Sequence, residues 1–282
     1  MTRSADLHVH TNFSDSTSSP ATVVEEARRQ EVDCIALTDH DTLDAIPVAL
    51  EAAAGCGPEI LPGIELSCEF QNKDIHILGY LFDIRDKNLN QQLTKFREAR
   101  VARIRKMVEK LKEQGIDNIA AEEVLRLTES DAVGRPHLAS LLVEKGWVPS
   151  RAAAFDRYLA EDRPAYVAKF KQTPHEAIEL IHKAGGVAVL AHPMITGVDE
   201  LIPGLAAAGL DGLEVYYPHS FPVVIQFYEG LAKKYKLLTT GGSDAHGEDR
   251  SHAQIGYVKI PYELVEALKA RAARYKQTGL TA

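Results

Sequence analysis

Short apolar runs alternate with amphipathic stretches over most of the chain. Strand-like runs fall at 6–11, 34–38, 60–67, 75–80, 187–191, 212–217, 237–241 and 255–260. Between them, 22–29, 45–54, 177–184, 225–235 and 264–275 carry apolar residues at helical spacing. Several runs, such as Cys34-Ile35-Ala36-Leu37 and Val187-Ala188-Val189-Leu190, are apolar without alternation, the pattern of strands buried on both faces in a parallel sheet. Strands alternating with helices predict an α/β fold. The pattern changes at 86. Leu93, Phe96, Ile104, Met107, Val108 and Leu111 trace one long helix ending at Gly115, and shorter helices are expected at 121–127, 136–145 and 151–160. The expected organisation is an α/β body from 1–85 and 171–282, interrupted by a helical insertion over 86–170.

The polar residues that interrupt the apolar runs are of one kind. In Asp6-Leu7-His8-Val9-His10 the two histidines point to the same face of a strand, because side chains alternate with a period of two. Asp244 and His246 repeat that spacing near the other end of the chain. His40 and His192 each follow an apolar run directly, at the carboxyl end where α/β proteins place their sites. Glu65 and His76 lie inside apolar runs, and a buried carboxylate there is costly unless it is paired. Asp15, in the turn-rich stretch 12–20, either bends the loop or supplies a ligand. Singly, each has a bland reading. Together, six imidazoles and three carboxylates at successive strand ends point to a site for several divalent ions, of the manganese, iron or zinc type. Asp39 is a candidate to orient an imidazole or to donate a proton, and Asp41 is expected to cap the helix beginning near Leu43. In the insertion, Gly134-Arg135-Pro136-His137 marks a helix start, where Arg135 and His137 could grip an anion; Lys169 and Lys171 are weaker candidates.

Composition narrows the partners. The 282 residues carry a net charge of -8, which disfavours a groove for long duplex nucleic acid. No apolar run is long enough to cross a membrane, and no membrane partner is expected. The three cysteines, Cys34, Cys56 and Cys68, show no metal or disulfide spacing, so a cytoplasmic protein with reduced thiols is expected.

His8-Val9-His10, Thr38-Asp39-His40-Asp41-Thr42, Gly63-Ile64-Glu65, His76, Ala191-His192-Pro193 and Gly242-Ser243-Asp244-Ala245-His246 resemble, in order and spacing, the motifs of the polymerase and histidinol phosphatase (PHP) family. The resemblance implies a distorted (β/α)7 barrel with three divalent ions at its carboxyl-terminal face. It assigns His8, His10, Glu65 and Asp244 to one ion, Glu65, His76 and His192 to a second, and Asp15, His40 and His246 to the third. Manganese is the metal favoured by the carboxylate at position 15. Asp244 and His192 would then be catalytic as well as ligating, with Arg135 stabilising charge on the phosphoryl group.

The insertion and its Gly134-Arg135-Pro136-His137 motif further resemble small family members that act on nucleotides. That likeness implies hydrolysis of the 3′-phosphate of nucleoside 3′,5′-bisphosphates, such as 3′-phosphoadenosine 5′-phosphate. Trimming of short 5′-phosphorylated oligoribonucleotides is a further implied activity. Arg135, His137 and His219 would contact the nucleotide. The rival readings are a phosphatase of histidinol phosphate and, in a different class, a non-catalytic metal-binding partner domain.

Overall fold

The structure, a computed structural model, describes residues 3–71, 73–130, 132–168, 172–247 and 253–278. Eight strands form one curved sheet: β1 (Ser4–Val9), β2 (Cys34–Leu37), β3 (Glu59–Phe70), β4 (Lys73–Tyr80), β5 (Val187–Leu190), β6 (Gly212–Tyr216), β7 (Leu238–Gly241) and β8 (Ile260–Pro261). Their order is β7-β6-β5-β4-β3-β2-β1-β8. The sheet curls into a barrel because the chain just beyond β7 returns to β1. Val9 bridges to Ala245, and His10 N donates to Ala245 O at 3.0 Å. The expected barrel is therefore present, with helices outside it.

One expectation about its strands needs correction. The run carrying His76 is not another parallel βα unit. β4 pairs antiparallel with both β3 and β5. Only positions 71 and 72 separate β3 from β4, too few for a crossover helix. His76 consequently lies in the amino-terminal half of its strand, opposite Ser67, and still reaches the mouth formed by the carboxyl ends of the other strands. The run at 255–260 is likewise not a strand along its length. Only Ile260–Pro261 pairs, antiparallel to the start of β1.

Local chemistry sets the helix starts. Ser19 caps Pro20–Arg29 through Thr22 N, and Thr173 and Glu176 form a reciprocal capping box on Pro174–Lys183. Asp86 caps the helix Lys87–Glu113 through Leu89 N at 2.7 Å. That helix serves two cores. Leu89, Leu93 and Phe96 belong to the cluster on the outer face of the barrel, whereas Ile104, Met107 and Leu111 join a separate cluster with Leu138, Leu142, Val148 and Leu159. The insertion thus has apolar packing of its own and is held to the barrel by a continuous helix. Its last stretch closes in the helix Arg151–Ala154 and a π-helical turn, Phe155–Leu159.

Candidate metal centre

The barrel mouth gathers all nine ligand candidates. β1 ends in His8 and His10, and the Glu65 carboxylate reaches between them from β3. Its Oε2 lies 3.3 Å from His8 Nε2, 3.2 Å from His10 Nε2 and 3.3 Å from His40 Nδ1. Its Oε1 lies 2.7 Å from His76 Nδ1 and 3.1 Å from His192 Nε2. Asp244 Oδ1 faces His8 Nε2 at 3.3 Å and His10 Nε2 at 3.1 Å. Asp15 Oδ1 lies 3.3 Å from His246 Nε2, and Asp15 Oδ2 lies 3.7 Å from His40 Nε2. Glu65 therefore divides its two oxygens between two sets of imidazoles, while His40 stands between Glu65 and Asp15.

These distances suit ions better than hydrogen bonds. His8 Nε2 and His10 Nε2 face each other at 3.2 Å, and both face the same oxygens of Glu65 and Asp244. Ligands at about 2.1 Å around one tetrahedral ion stand about 3.4 Å apart, close to this mutual spacing. Buried Asp15 Oδ1, His40 Nδ1, His76 Nδ1 and His192 Nδ1 make no hydrogen bond, and three of these four atoms point among the ligand set. Buried polar atoms are rarely left so. The residues present fit a group of divalent cations.

Electrostatics agree. Burial pushes the Glu65 carboxyl up, but the imidazoles of His40, His76 and His8 outweigh it and hold it well below the usual range. Asp244 is treated alike by His8 and His246, and Asp15 by His246 and His40. The three carboxylates are held ionised in a buried place, as ligands must be. Burial, helped by the neighbouring imidazoles of His10 and His76, takes His40 down to about 3 against the pull of Glu65 and Asp15, keeping a lone pair available.

Behind the candidate ligands lies a layer only partly legible in the sequence. Glu214, fully buried on β6, accepts from His8 Nδ1 at 2.9 Å and from the His192 backbone N–H at 2.8 Å. It fixes the His8 tautomer with Nε2 free to ligate, the usual task of a carboxylate behind a metal-bound imidazole. His246 Nδ1 is held by Asp244 O at 2.8 Å to the same effect. Tyr217 donates to Asp244 Oδ2 at 2.6 Å. His192 and Asp244 have φ of 27° and 48°, sparsely populated for such residues, and the ligand positions they reach come with backbone strain. Gly242 has no room for a Cβ, which would overlap the backbone and Cβ of His8. A glycine there lets β7 close on β1 beside the ligands.

The neighbouring candidates are placed as follows. Asp39 does not aim at the mouth. It accepts from Thr11 N and Thr11 Oγ1, each at 2.7 Å, and from Ser14 Oγ at 2.5 Å, so it braces the loop and is not a free proton donor. Asp41 caps no helix; it accepts from Ser67 N at 2.9 Å and from Arg100 Nη2 at 2.6 Å. Arg100, unremarked in the sequence, joins Arg135 in the wall of a cavity of about 140 Å³. Asp15, His40, His76, Asp74, His137 and Phe155 also line it. Arg135 is paired with Asp74 at 2.8 Å and lies at the start of the helix Arg135–Glu144. His137 has no free nitrogen for an anion. Its Nδ1 accepts from Gly134 N at 3.0 Å, and its Nε2–H donates to Ser14 O at 2.7 Å. His219 is exposed, on the loop after β6, with its ring against Tyr257 and not among the ligands. His182, away from the mouth, pairs through Nε2 with Asp211 at 2.8 Å. Lys169 and Lys171 lie outside the described residues. Among those residues no helix is long and apolar enough to cross a membrane.

The PHP domain matches residues 6–95. The 5′-3′ exoribonuclease Rnm of Salmonella typhimurium is 37% identical over 248 residues, covering 86% of this chain and 84% of the relative. The 3′,5′-nucleoside bisphosphate phosphatase of Chromobacterium violaceum is 31% identical over 260 residues, covering 90% and 91%. A crystal structure from Bifidobacterium adolescentis, assigned as a metal-dependent phosphoesterase, superposes with a TM-score of 0.86 at 32% identity, covering 95% and 96% of the two chains. The chain belongs to the PHP family, as an enzyme of the metal-dependent phosphoesterase class that hydrolyses phosphoric esters.

Proposed function

We propose that this enzyme removes the 3′-phosphate from nucleoside 3′,5′-bisphosphates, with three divalent ions, manganese by preference, held by the nine residues at the barrel mouth. The observation that carries the reading is the pairing of two features in one hollow. A ligand cluster for hydrolysis opens into a cavity walled by two guanidinium groups, Arg100 and Arg135. A monoester with a single phosphate leaves Arg135 on Asp74. A substrate with a second phosphate engages Arg135 within the field of Arg100, and the named activity of the Chromobacterium relative has that form.

His8, His10, Glu65 and Asp244 would hold one ion, Glu65, His76 and His192 a second, and Asp15, His40 and His246 the third. When bound, such ions supply Lewis acidity and a water ionised near neutral pH. The protein's part is positional. Glu214 and the Asp244 carbonyl keep His8 and His246 in the tautomers that present Nε2 inward. Tyr217 holds one Asp244 oxygen so that the other faces the imidazoles. Arg135 exchanges Asp74 for the non-reacting phosphate, orienting the ester by a charge-assisted bond. Arg100 is occupied by Asp41, Ser67 and the Val133 carbonyl, and contributes its field more than a free donor.

Trimming of short 5′-phosphorylated oligoribonucleotides is a second activity of the same site, supported by the likeness to a 5′-3′ exoribonuclease. Its 5′-phosphate would meet the same guanidinium wall. The test is phosphate release with Mn²⁺ from 3′-phosphoadenosine 5′-phosphate, from the matching 3′-monophosphate and from histidinol phosphate. The bisphosphate should be preferred over both, and Arg135→Ala should erase the preference by raising KM while sparing kcat. Equal kcat/KM for all three, or a KM unchanged by Arg135→Ala, would refute the assignment.

A further inference from the structure

We propose that the helical insertion is a working part of the metal centre, with His137 as a positioning residue that sets Asp15 for its ion. The inference rests on the reading of Asp15 as a ligand. Three consecutive carbonyls lead into Asp15, and all three accept hydrogen bonds from the insertion. Asn12 O accepts from Glu129 N at 2.8 Å and Thr128 Oγ1 at 3.3 Å. Phe13 O accepts from Ser130 Oγ at 2.6 Å and Thr128 Oγ1 at 3.1 Å. Ser14 O, in the peptide bonded to Asp15, accepts from His137 Nε2 at 2.7 Å.

The loop's other anchor is the barrel. Asp39 takes Thr11 N, Thr11 Oγ1 and Ser14 Oγ, so the barrel holds the loop by donors and the insertion holds it by acceptors. Neither anchor touches the Asp15 carboxylate, whose Oδ1 is buried without a hydrogen bond. The backbone that carries that carboxylate toward His246 and His40 is thus fixed from two sides. His137 is itself fixed, because Gly134 N donates to its Nδ1 at 3.0 Å, which leaves the proton on Nε2 to donate to Ser14 O. Arg135, two residues away, lines the cavity beside Asp15. One short turn of helix thus faces both substrate cavity and ligand loop, and a shift of that turn reaches Asp15.

The test is manganese content after equilibrium dialysis against graded Mn²⁺, measured by elemental mass spectrometry, with melting temperature recorded for each variant. Asp15→Ala should hold one ion fewer than the unaltered protein. His137→Ala should lose that same ion, with affinity at that site falling about 10- to 100-fold, as for other groups that orient a ligand without touching the metal. His137→Gln, which restores an N–H donor to Ser14 O, should recover it, and Arg135→Ala should retain the full complement. A merely structural role would lower the melting temperature without singling out one ion. If His137→Ala does not fold, the Thr128→Val/Ser130→Ala pair, which removes the hydroxyl donors to Asn12 O and Phe13 O, decides the question in the same way. Full loading of these variants where Asp15→Ala lacks an ion would overturn the inference alone. Full loading of Asp15→Ala would instead remove the ligand reading beneath it.

Discussion

Glu65 shows how one residue can join two halves of a site. Its oxygens face five imidazoles carried by four strands or the turns that follow them, and its ionised state depends on them. The sequence marked it by a single anomaly, a carboxylate between Ile64 and Leu66 in an apolar run. Glu214, between Leu213 and Val215, carries the same anomaly and passed as an ordinary strand residue because no recognised motif contains it. The rule that found one would have found the other. Glu214→Gln keeps the shape but weakens the bonds to His8 Nδ1 and His192 N, and should lower metal affinity about 10- to 100-fold. Calorimetric titration with Mn²⁺ checks this, and an unchanged affinity would reduce Glu214 to packing. Arg100 had no such mark. An arginine on a long basic helix becomes meaningful only once the face turned to the cavity is known.

At the scale of elements, apolar patterning located seven of the eight strands closely but did not single out the one that runs against its neighbours. β4 was misassigned because periodicity is the same forwards and backwards; the clue was the two-residue connection after Phe70. The closing helix Tyr262–Thr278 illustrates a contact no local pattern reveals. Its Arg271 and Tyr275 both reach Oδ1 of Asp211, each at 2.5 Å, while His182 and Ala188 N take Oδ2. Burial pushes the Asp211 carboxyl up, but these donors prevail and hold it below the ordinary value. A carboxyl so depressed adds stability above its unfolded pKa, near about 3.9, and loses it as pH falls through the lower folded value. Asp211→Asn should therefore cost roughly 3 kcal/mol near neutral pH. The gap from the unaltered protein should narrow as the medium is acidified below about pH 4. Urea unfolding at several pH values measures it; a pH-independent gap would mean the ion pairs contribute nothing.

For the whole molecule, the barrel brings residues from position 8 to position 246 to one mouth, and the buried carboxylates there face neighbouring imidazoles and, at Asp244, the Tyr217 hydroxyl. Metal held by this folded arrangement and not by the unfolded chain should raise stability on loading. At a hundredfold excess over Kd each independent ion adds about 2.7 kcal/mol. Chelator-treated protein should accordingly melt several degrees below the Mn²⁺-restored form, as read by calorimetry, and equal melting temperatures would count against a structural cation cluster. The order of motifs made the barrel and the nine residues gathered at its mouth legible, since strand ends and residue spacing are local features. The grip of the insertion on the Asp15 loop was hidden, being made of backbone carbonyls that look alike in any sequence.

The most direct test of the account is anomalous diffraction at the manganese edge from crystals grown with Mn²⁺. Three peaks are expected at the mouth: one among His8, His10, Glu65 and Asp244, one by His76 and His192, and one by Asp15, His40 and His246. Peaks confined to other surfaces, with these side chains well ordered and no density between them, would contradict it.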